Sequence, residues 1–277
     1  MKDALIVSAL SLMPRKTGAR AMGAMARRPL SKLMTRAFVR VYGVDMSEAD
    51  APASSYNTLE ALFTRTLREG ARPIDDAPNA LVSPVDGRCA AVGRTENGCI
   101  DLAPGRQLDI AKLVGQPFDA ELDVAVLYLS PKDYHRVHVA REGELVRWRY
   151  VPGTLWPVFP AAVRKVDGLF SRNERVVVEQ DTTEGPLWSV LVGAFGVGRI
   201  TLSACDIVTN SGRDGTQANL APPVSVDRGE ELGVFHLGST VVLAAPTGRW
   251  RLTVKPGDVV RMGRTIGTVT PQLTGPV

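Results

Sequence analysis

Asp123-Val-Ala-Val-Leu-Tyr-Leu129 is an apolar run of β type, and it passes directly into Ser130-Pro-Lys-Asp-Tyr-His-Arg-Val-His-Val139. A short apolar run bounded by turn residues reads as a buried strand. Ser130 is placed as an N-cap, Pro131 as a first helical residue, and Asp133 completes a capping-box-like pattern. The strand is therefore expected to turn through a short helical piece carrying His135 and to resume near His138. In a continuous strand the two imidazoles would face opposite ways, whereas a turn between them can aim both into one pocket.

The same texture extends in both directions. Leu145–Val151, Arg175–Glu179, Ser189–Val192 and Val241–Leu243 are further strand candidates, and Val146, Trp148 and Tyr150 alternate with Arg147 and Arg149 as a half-buried strand should. No long helical period reappears after Gly70. Near the C-terminus, Gly257, Gly263 and Gly267 punctuate short apolar runs in the turn grammar of barrel-sandwich folds, but no lysine sits at a hairpin tip as a biotinyl or lipoyl carrier requires. The expected class is α+β: a mainly antiparallel β core with barrel-sandwich-like elements, preceded by N-terminal amphipathic helices.

The helices belong to the first 70 residues. Leu30, Leu33, Met34, Ala37, Phe38 and Val41 recur at helical spacing, with Arg28, Lys32 and Arg36 on the other side. Such a helix either lies on an anionic bilayer or docks on the domain with its basic face in water. A second helix is expected from near Asn57, carrying Leu59, Leu62, Phe63, Thr66 and Leu67 until Gly70 and Pro73 stop it. The stretch Ala4–Met13 is apolar but too short to span a bilayer, and Asp3 spoils a signal-peptide reading, so it is expected to be retained.

Of 277 residues, 44% are hydrophobic and 22% charged, proportions that exclude disorder and a multi-span membrane protein. The net charge of +4 is local. Nine Lys or Arg fall in the first 45 residues against Asp3 and Asp45, which leaves 24 basic and 27 acidic groups in the rest. Cys89, Cys99 and Cys205 are odd in number and form no C-x-x-C pair, which fits a reducing, cytoplasmic location.

Only His135, His138 and His236 are available for proton transfer near neutral pH. No third ligand at zinc-site spacing accompanies the first two, so no metal is expected. Ser83-Pro-Val-Asp-Gly87 sets Asp86 in a tight turn, where it either stabilises that turn or serves as a catalytic carboxylate. Gly193–Gly198 lacks both the G-x-G-x-x-G order and a Walker lysine, which excludes a nucleotide loop. Gly238-Ser239 precedes the strand candidate Val241–Leu243. It is either a plain turn or a nucleophile beside a permissive backbone, but not the G-x-S-x-G of a hydrolase elbow.

Ser83-Pro-Val-Asp-Gly87, Asp133-Tyr-His-Arg-Val-His138 and Phe235-His-Leu-Gly-Ser-Thr240, in that order, resemble the signature set of the phosphatidylserine decarboxylases. The resemblance extends over nearly the whole chain, through Phe63-Thr-Arg-Thr-Leu67, Tyr150-Val-Pro-Gly153, Asn173-Glu-Arg-Val176 and Gly233-Val-Phe235. Leu59-Glu-Ala-Leu62 departs from the Phe-rich version usual before Phe63.

The resemblance implies a pyruvoyl enzyme that cleaves itself between Gly238 and Ser239. Asp86, His138 and Ser239 would form the cleavage triad, and the products would be a β chain of residues 1–238 and an α chain of residues 239–277 that begins with the pyruvoyl. Phosphatidylserine would bind that group as a Schiff base and leave as phosphatidylethanolamine, with His135 helping to protonate the carbanion. It further implies a peripheral protein on the cytoplasmic face of the cell membrane and a homodimer. Residues 1–70 would be the membrane-associating segment and 71–277 the catalytic domain. No nucleic-acid partner is expected. Trp156 and Phe159, set among prolines, would either line a lipid-facing mouth or pack in the core. The competing readings are a serine hydrolase that uses the same three residues without cutting itself, and a non-enzymatic membrane-associated binding module.

Overall fold

Alternating and continuous apolar runs pair into an antiparallel β body in a computed structural model that describes residues 23–28, 32–195, 199–210, 215–236 and 238–270. The Ala4–Met13 stretch, Leu30 and the glycines at 196 and 198 lie outside the described residues.

The principal sheet has eight strands. Its spatial order is β11 (Gln217–Val226), β7 (Gly143–Val151), β8 (Arg175–Thr182), β9 (Gly185–Gly193), β13 (Ser239–Pro246), β5 (Leu122–Leu129), β2 (Gly87–Arg94) and β15 (Val259–Val260). Every neighbouring pair is antiparallel. The central strands β5, β9 and β13 are nearly continuous apolar runs because both faces of the sheet are covered.

One face carries Leu127, Leu129, Leu191, Val241 and Leu243 into a core shared with two three-stranded sheets. These are β10 (Ile200–Leu202), β12 (Glu231–Phe235) and β6 (Arg136–His138), and β1 (Ala80–Val82), β16 (Thr265–Val269) and β14 (Trp250–Leu252). The opposite face carries Val124, Val126, Val190 and Val242 against the hairpin of β3 (Cys99–Ala103) and β4 (Arg106–Asp109) and against short helices. Trp156 belongs to this second core at 6% exposure and Phe159 packs against it, so Trp156 is a core residue and lines no open mouth.

The helices are shorter than the sequence suggests. α1 (Lys32–Tyr42) is followed by α2 (Leu59–Phe63), whose N-cap is Thr58, with its hydroxyl accepting from the Ala61 N–H. α2 ends at Thr64, not near Gly70, because the chain leaves to bridge Leu67 with Ala49. Short α3 (Ile110–Val114), α4 (Pro160–Val163) and α5 (Leu169–Arg172) complete the set. Phe38 and Val39 of α1 pack on Tyr56, Leu59 and Leu62, and Thr35 is buried, while Met34 and Val41 face outward at 42% and 75% exposure. Part of the apolar stripe is therefore left uncovered. Among the described residues no helix is long and apolar enough to cross a membrane.

Candidate active site

β5 ends in the turn that Ser130 and Asp133 were expected to cap. The Ser130 N–H and Oγ donate to the Asp133 carboxylate at 2.7 and 2.8 Å, and the Asp133 N–H donates to the Ser130 carbonyl. No helix forms after it. Tyr134 and His135 lie outside any helix, because the Phe235 N–H captures the His135 carbonyl and β6 then pairs with β12. The turn thus precedes both histidines and does not separate them, and their odd spacing sends them to opposite sides.

His135 shares its side of the strand with Val137 and Val139, core residues of the face that also holds Val241 and Leu243. It is fully buried, its ring 4.0 Å from that of Phe63. A carbonyl only accepts, so its bond to the Asp133 carbonyl at 2.8 Å places the imidazole proton on Nδ1. Nε2 is left as a bare acceptor with no partner among the described residues. Burial pushes the imidazole down to about 3, with the charge of Arg65 acting in the same direction, so it is neutral at physiological pH.

His138 lies on the other side with Tyr134, four residues back, whose ring stacks on it at 5.6 Å. His138 Nδ1 donates to the Gly229 carbonyl at 2.8 Å and Nε2 accepts from the Tyr134 hydroxyl at 3.1 Å. Burial lowers its pKa as well.

Asp86 does not use its side chain on its own turn, which Ser83 Oγ closes by donating to the Val85 carbonyl. Its carboxylate reaches Arg72 Nε at 2.9 Å and Nη2 at 2.5 Å and accepts from the Met262 N–H at 2.9 Å. Arg72 continues to Glu48 at 2.8 Å, and Glu48 to Arg261 at 3.0 Å. Asp86 and Tyr134 line a charged cavity of about 400 Å³ that also exposes Arg65. Gly87 is required by close approach: a Cβ there would lie 2.3 Å from the Tyr128 carbonyl oxygen.

Ser239 opens β13, paired with Leu129 on one side and Gly193 on the other. It stands on the same face as Val241 and Leu243. It is 0% exposed, and its Oγ has no hydrogen-bond partner among the described residues. Gly238 has φ +29°, a conformation glycine tolerates best. With Phe63, Phe38, Met34, Pro131 and Phe195 it lines an apolar cavity of about 340 Å³ that opens at α1. The third histidine tethers the segment before it: His236 Nδ1 donates to Glu60 at 3.0 Å, and Arg199 joins the same carboxylate at 3.3 Å.

The structure therefore seats Tyr134 on His138, with the Asp86 charge acting on both, and buries His135 against Phe63 and Ser239 at the start of β13. No hydrogen bond joins Asp86, His138 and Ser239 among the described residues. Arg65, Arg72 and Tyr134 escaped the sequence reading. Arg65 and Arg72 bind carbonyls and carboxylates far along the chain, which no local pattern reports, whereas Tyr134 meets His138 only four residues on.

A family model described as phosphatidylserine decarboxylase matches residues 59–268. The chain belongs to this family. A phosphatidylserine decarboxylase proenzyme of Anaeromyxobacter sp. (strain K) is 40% identical over 280 residues, covering 96% of this chain and 99% of that one. Those of Myxococcus xanthus and Pseudomonas fluorescens are 35% and 38% identical, each over 98% of this chain and the whole of its own length. Phosphatidylserine decarboxylases use a covalently bound pyruvoyl group. The residues here fit such a group: Ser239 offers a buried hydroxyl with no partner among the described residues, directly after Gly238, which lines an apolar cavity.

Proposed function

We propose that this chain is the proenzyme of a decarboxylase that converts phosphatidylserine to phosphatidylethanolamine, and that Ser239 becomes its pyruvoyl group when the Gly238–Ser239 bond is cut. The observation that carries this reading is the Ser239 hydroxyl: buried, unpartnered and next to a glycine in the left-handed region, in a chain that matches the family over residues 59–268. The pyruvoyl group supplies a conjugated carbonyl that accepts electrons as the carboxylate of the serine head group leaves.

Asp86, His138 and Ser239 are the proposed cleavage residues. Ser239 Oγ attacks the Gly238 carbonyl as His138 takes its proton and Asp86 favours the charged imidazole, and the Gly238–Ser239 C–N bond breaks to leave an ester. Elimination of that ester frees the Gly238 carboxylate and leaves a dehydroalanine, which water hydrolyses to the pyruvoyl with release of ammonia. The tautomer of His138 supports the base role, since Nε2 is the atom free of a proton. That nitrogen must first leave the Tyr134 hydroxyl, and the Asp86 charge acts on it through space while Arg72 holds the carboxylate. His135 is the proposed proton carrier in decarboxylation. With Nε2 unprotonated at rest, it must accept a proton before returning one to the substrate carbon.

A second reading assigns the cleavage base to His135, and a specific observation favours it: His135 Nε2 and Ser239 Oγ are both buried and without a partner among the described residues. Intact-mass spectra of His135→Ala and His138→Ala chains separate the two. The first reading requires His138→Ala to stay uncut and His135→Ala to be cut. Two chains from the wild type, the smaller being residues 239–277 with a pyruvoyl end, together with turnover of phosphatidylserine in vesicles, test the function itself. A single uncut mass from active protein would favour a hydrolase, and from inactive protein a binding module.

Residues 1–70 are the proposed membrane-associating segment and 71–277 the catalytic domain, peripheral on the cytoplasmic face of an anionic membrane. Support comes from the outward Met34 and Val41, the exposed Arg36 and Arg40 on the same helix, and the apolar cavity that runs from that helix to Gly238. The homodimer belongs to the same proposal and rests on the family resemblance.

A further inference from the structure

We propose that Arg65 is a positioning residue that selects the tautomer of His135 and adds to the effect of burial in disfavouring its imidazolium; the catalytic meaning of this rests on the proton-carrier role of His135 given above.

Arg65 comes two residues after α2 and is 5% exposed. Arginine is buried in proteins chiefly where a carboxylate or phosphate meets its fork. Here its partners are carbonyls. Nη2 donates to the Lys132 carbonyl at 3.0 Å and to the Asp133 carbonyl at 3.4 Å, Nη1 to the Leu62 carbonyl at 3.5 Å, and Nε has no partner among the described residues. Desolvation lowers its pKa, although the nearby charges of Asp86 and Asp133 act the other way, so the fold holds a costly charge that pairs directly with no carboxylate among the described residues.

The Asp133 carbonyl is the shared element. Its oxygen has two lone pairs, and it accepts both from Arg65 and from His135 Nδ1, the latter at 2.8 Å. Arg65 thereby fixes the direction of the carbonyl that receives the His135 proton, which leaves Nε2 bare. The same contact sets a guanidinium two bonds of the network away from the imidazole. A second positive charge on His135 would be repelled there, and a carbonyl already polarised by Arg65 is a weaker partner for an imidazolium. Phe63 packs against the ring and comes from the same short segment, so α2 and the residues after it carry both the wall and the charge.

Nuclear magnetic resonance of the imidazole nitrogens tests this in the uncut Ser239→Ala chain, where the three histidines are assigned by single substitution. In the parent, His135 is expected as a single Nδ1–H tautomer that stays neutral at pH 5. In Arg65→Gln we expect a mixture of tautomers and a midpoint higher by about one pH unit. Arg65→Lys keeps the charge but cannot grip both carbonyls, so neutrality should persist while the tautomer becomes mixed. In otherwise native chains, the acid limb of the kcat profile for phosphatidylserine should move with the midpoint in Arg65→Gln and stay in place in Arg65→Lys. A folded Arg65→Gln chain with unchanged His135 tautomer and midpoint overturns the proposal. If that variant does not fold, an Arg65→Lys chain with a single Nδ1–H tautomer overturns it equally. The His135 reading fails separately, through a His135→Ala chain that decarboxylates normally, and the nitrogen spectra would be unaffected by that failure.

Discussion

Arg72 holds both carboxylate oxygens of Asp86, through Nε and Nη2, and so occupies the group that would otherwise face His138. Burial works against the Arg72 charge, but its bonds to Asp86 and Glu48 raise its pKa overall. The resulting row, Asp86–Arg72–Glu48–Arg261, joins four parts of the chain: the segment before α2, the segment between α2 and β1, the turn before β2, and the stretch that would belong to the α chain after cleavage.

Breaking this row at Arg72 should cost far more than breaking it at its rim. Arg72→Gln leaves Asp86, 13% exposed, without its counter-charge, and we expect a loss of about 3 kcal/mol in urea denaturation of the Ser239→Ala chain. Glu48→Gln removes a partner nearer the solvent and should cost about 1 kcal/mol or less. Equal losses from both would show that the row is a surface ion pair without special weight.

The low pKa of His135 makes the fold sensitive to acid with a calculable sign. In the unfolded chain a histidine titrates at about 6.5, whereas the folded-state value lies near 3. Below pH 6.5 the unfolded chain therefore binds a proton that the folded chain refuses, so stability falls as the pH falls, until about pH 3. Between pH 7 and pH 5 the Ser239→Ala chain should lose about 2 kcal/mol more than the same chain carrying His135→Gln. Parallel stability curves for the two would contradict a buried neutral His135.

Strands and sheet class were readable because period and apolar runs are local. Leu122–Leu129 and Ser239–Pro246 are buried on both faces and their sequences say so directly. Cap chemistry was readable in part, since the Ser130 N–H donates to the Asp133 carboxylate as a capping box requires, but the Asp133 N–H goes to the Ser130 carbonyl and not to its hydroxyl, and the conformation beyond a cap depends on competition between local and distant partners. Here β12 captures the backbone at His135 before a helix can form, and the geometry of the two histidines changes with it. Arg65 and Arg72 stayed invisible for a related reason: the atoms they hold at Lys132, Asp133 and Asp86 are set by the fold and not by neighbours in the chain.

Gly87 offers a purely steric test of how the Asp86 turn meets the strand that carries Ser239. Arg88, its neighbour, pairs with Tyr128, and the next residue of β5, Leu129, pairs with Ser239. Gly87→Ala places a methyl 2.3 Å from the Tyr128 carbonyl oxygen, so β2 and β5 must part. We expect a stability loss of about 3 kcal/mol together with slowed self-cleavage, monitored by mass spectrometry at a temperature where the variant is still folded. Cleavage at the native rate would show that Ser239 is insulated from this contact.

The outward face of α1 should govern attachment to lipid without governing the fold. Met34 and Val41 already spend much of their surface in water, so Met34→Ser and Val41→Ser together should leave thermal unfolding nearly unchanged. On a bilayer the same two side chains would bury their exposed parts, worth roughly 2 kcal/mol together, or about 30-fold in partitioning. Arg36 and Arg40 add attraction that salt screens. Sedimentation with vesicles rich in phosphatidylglycerol should thus show weaker binding for the double variant at every ionic strength, and a salt dependence no different from that of the parent. Turnover of phosphatidylserine in vesicles should fall in step with binding, while turnover in detergent micelles should fall much less. Undiminished vesicle binding would place the membrane contact elsewhere on the molecule.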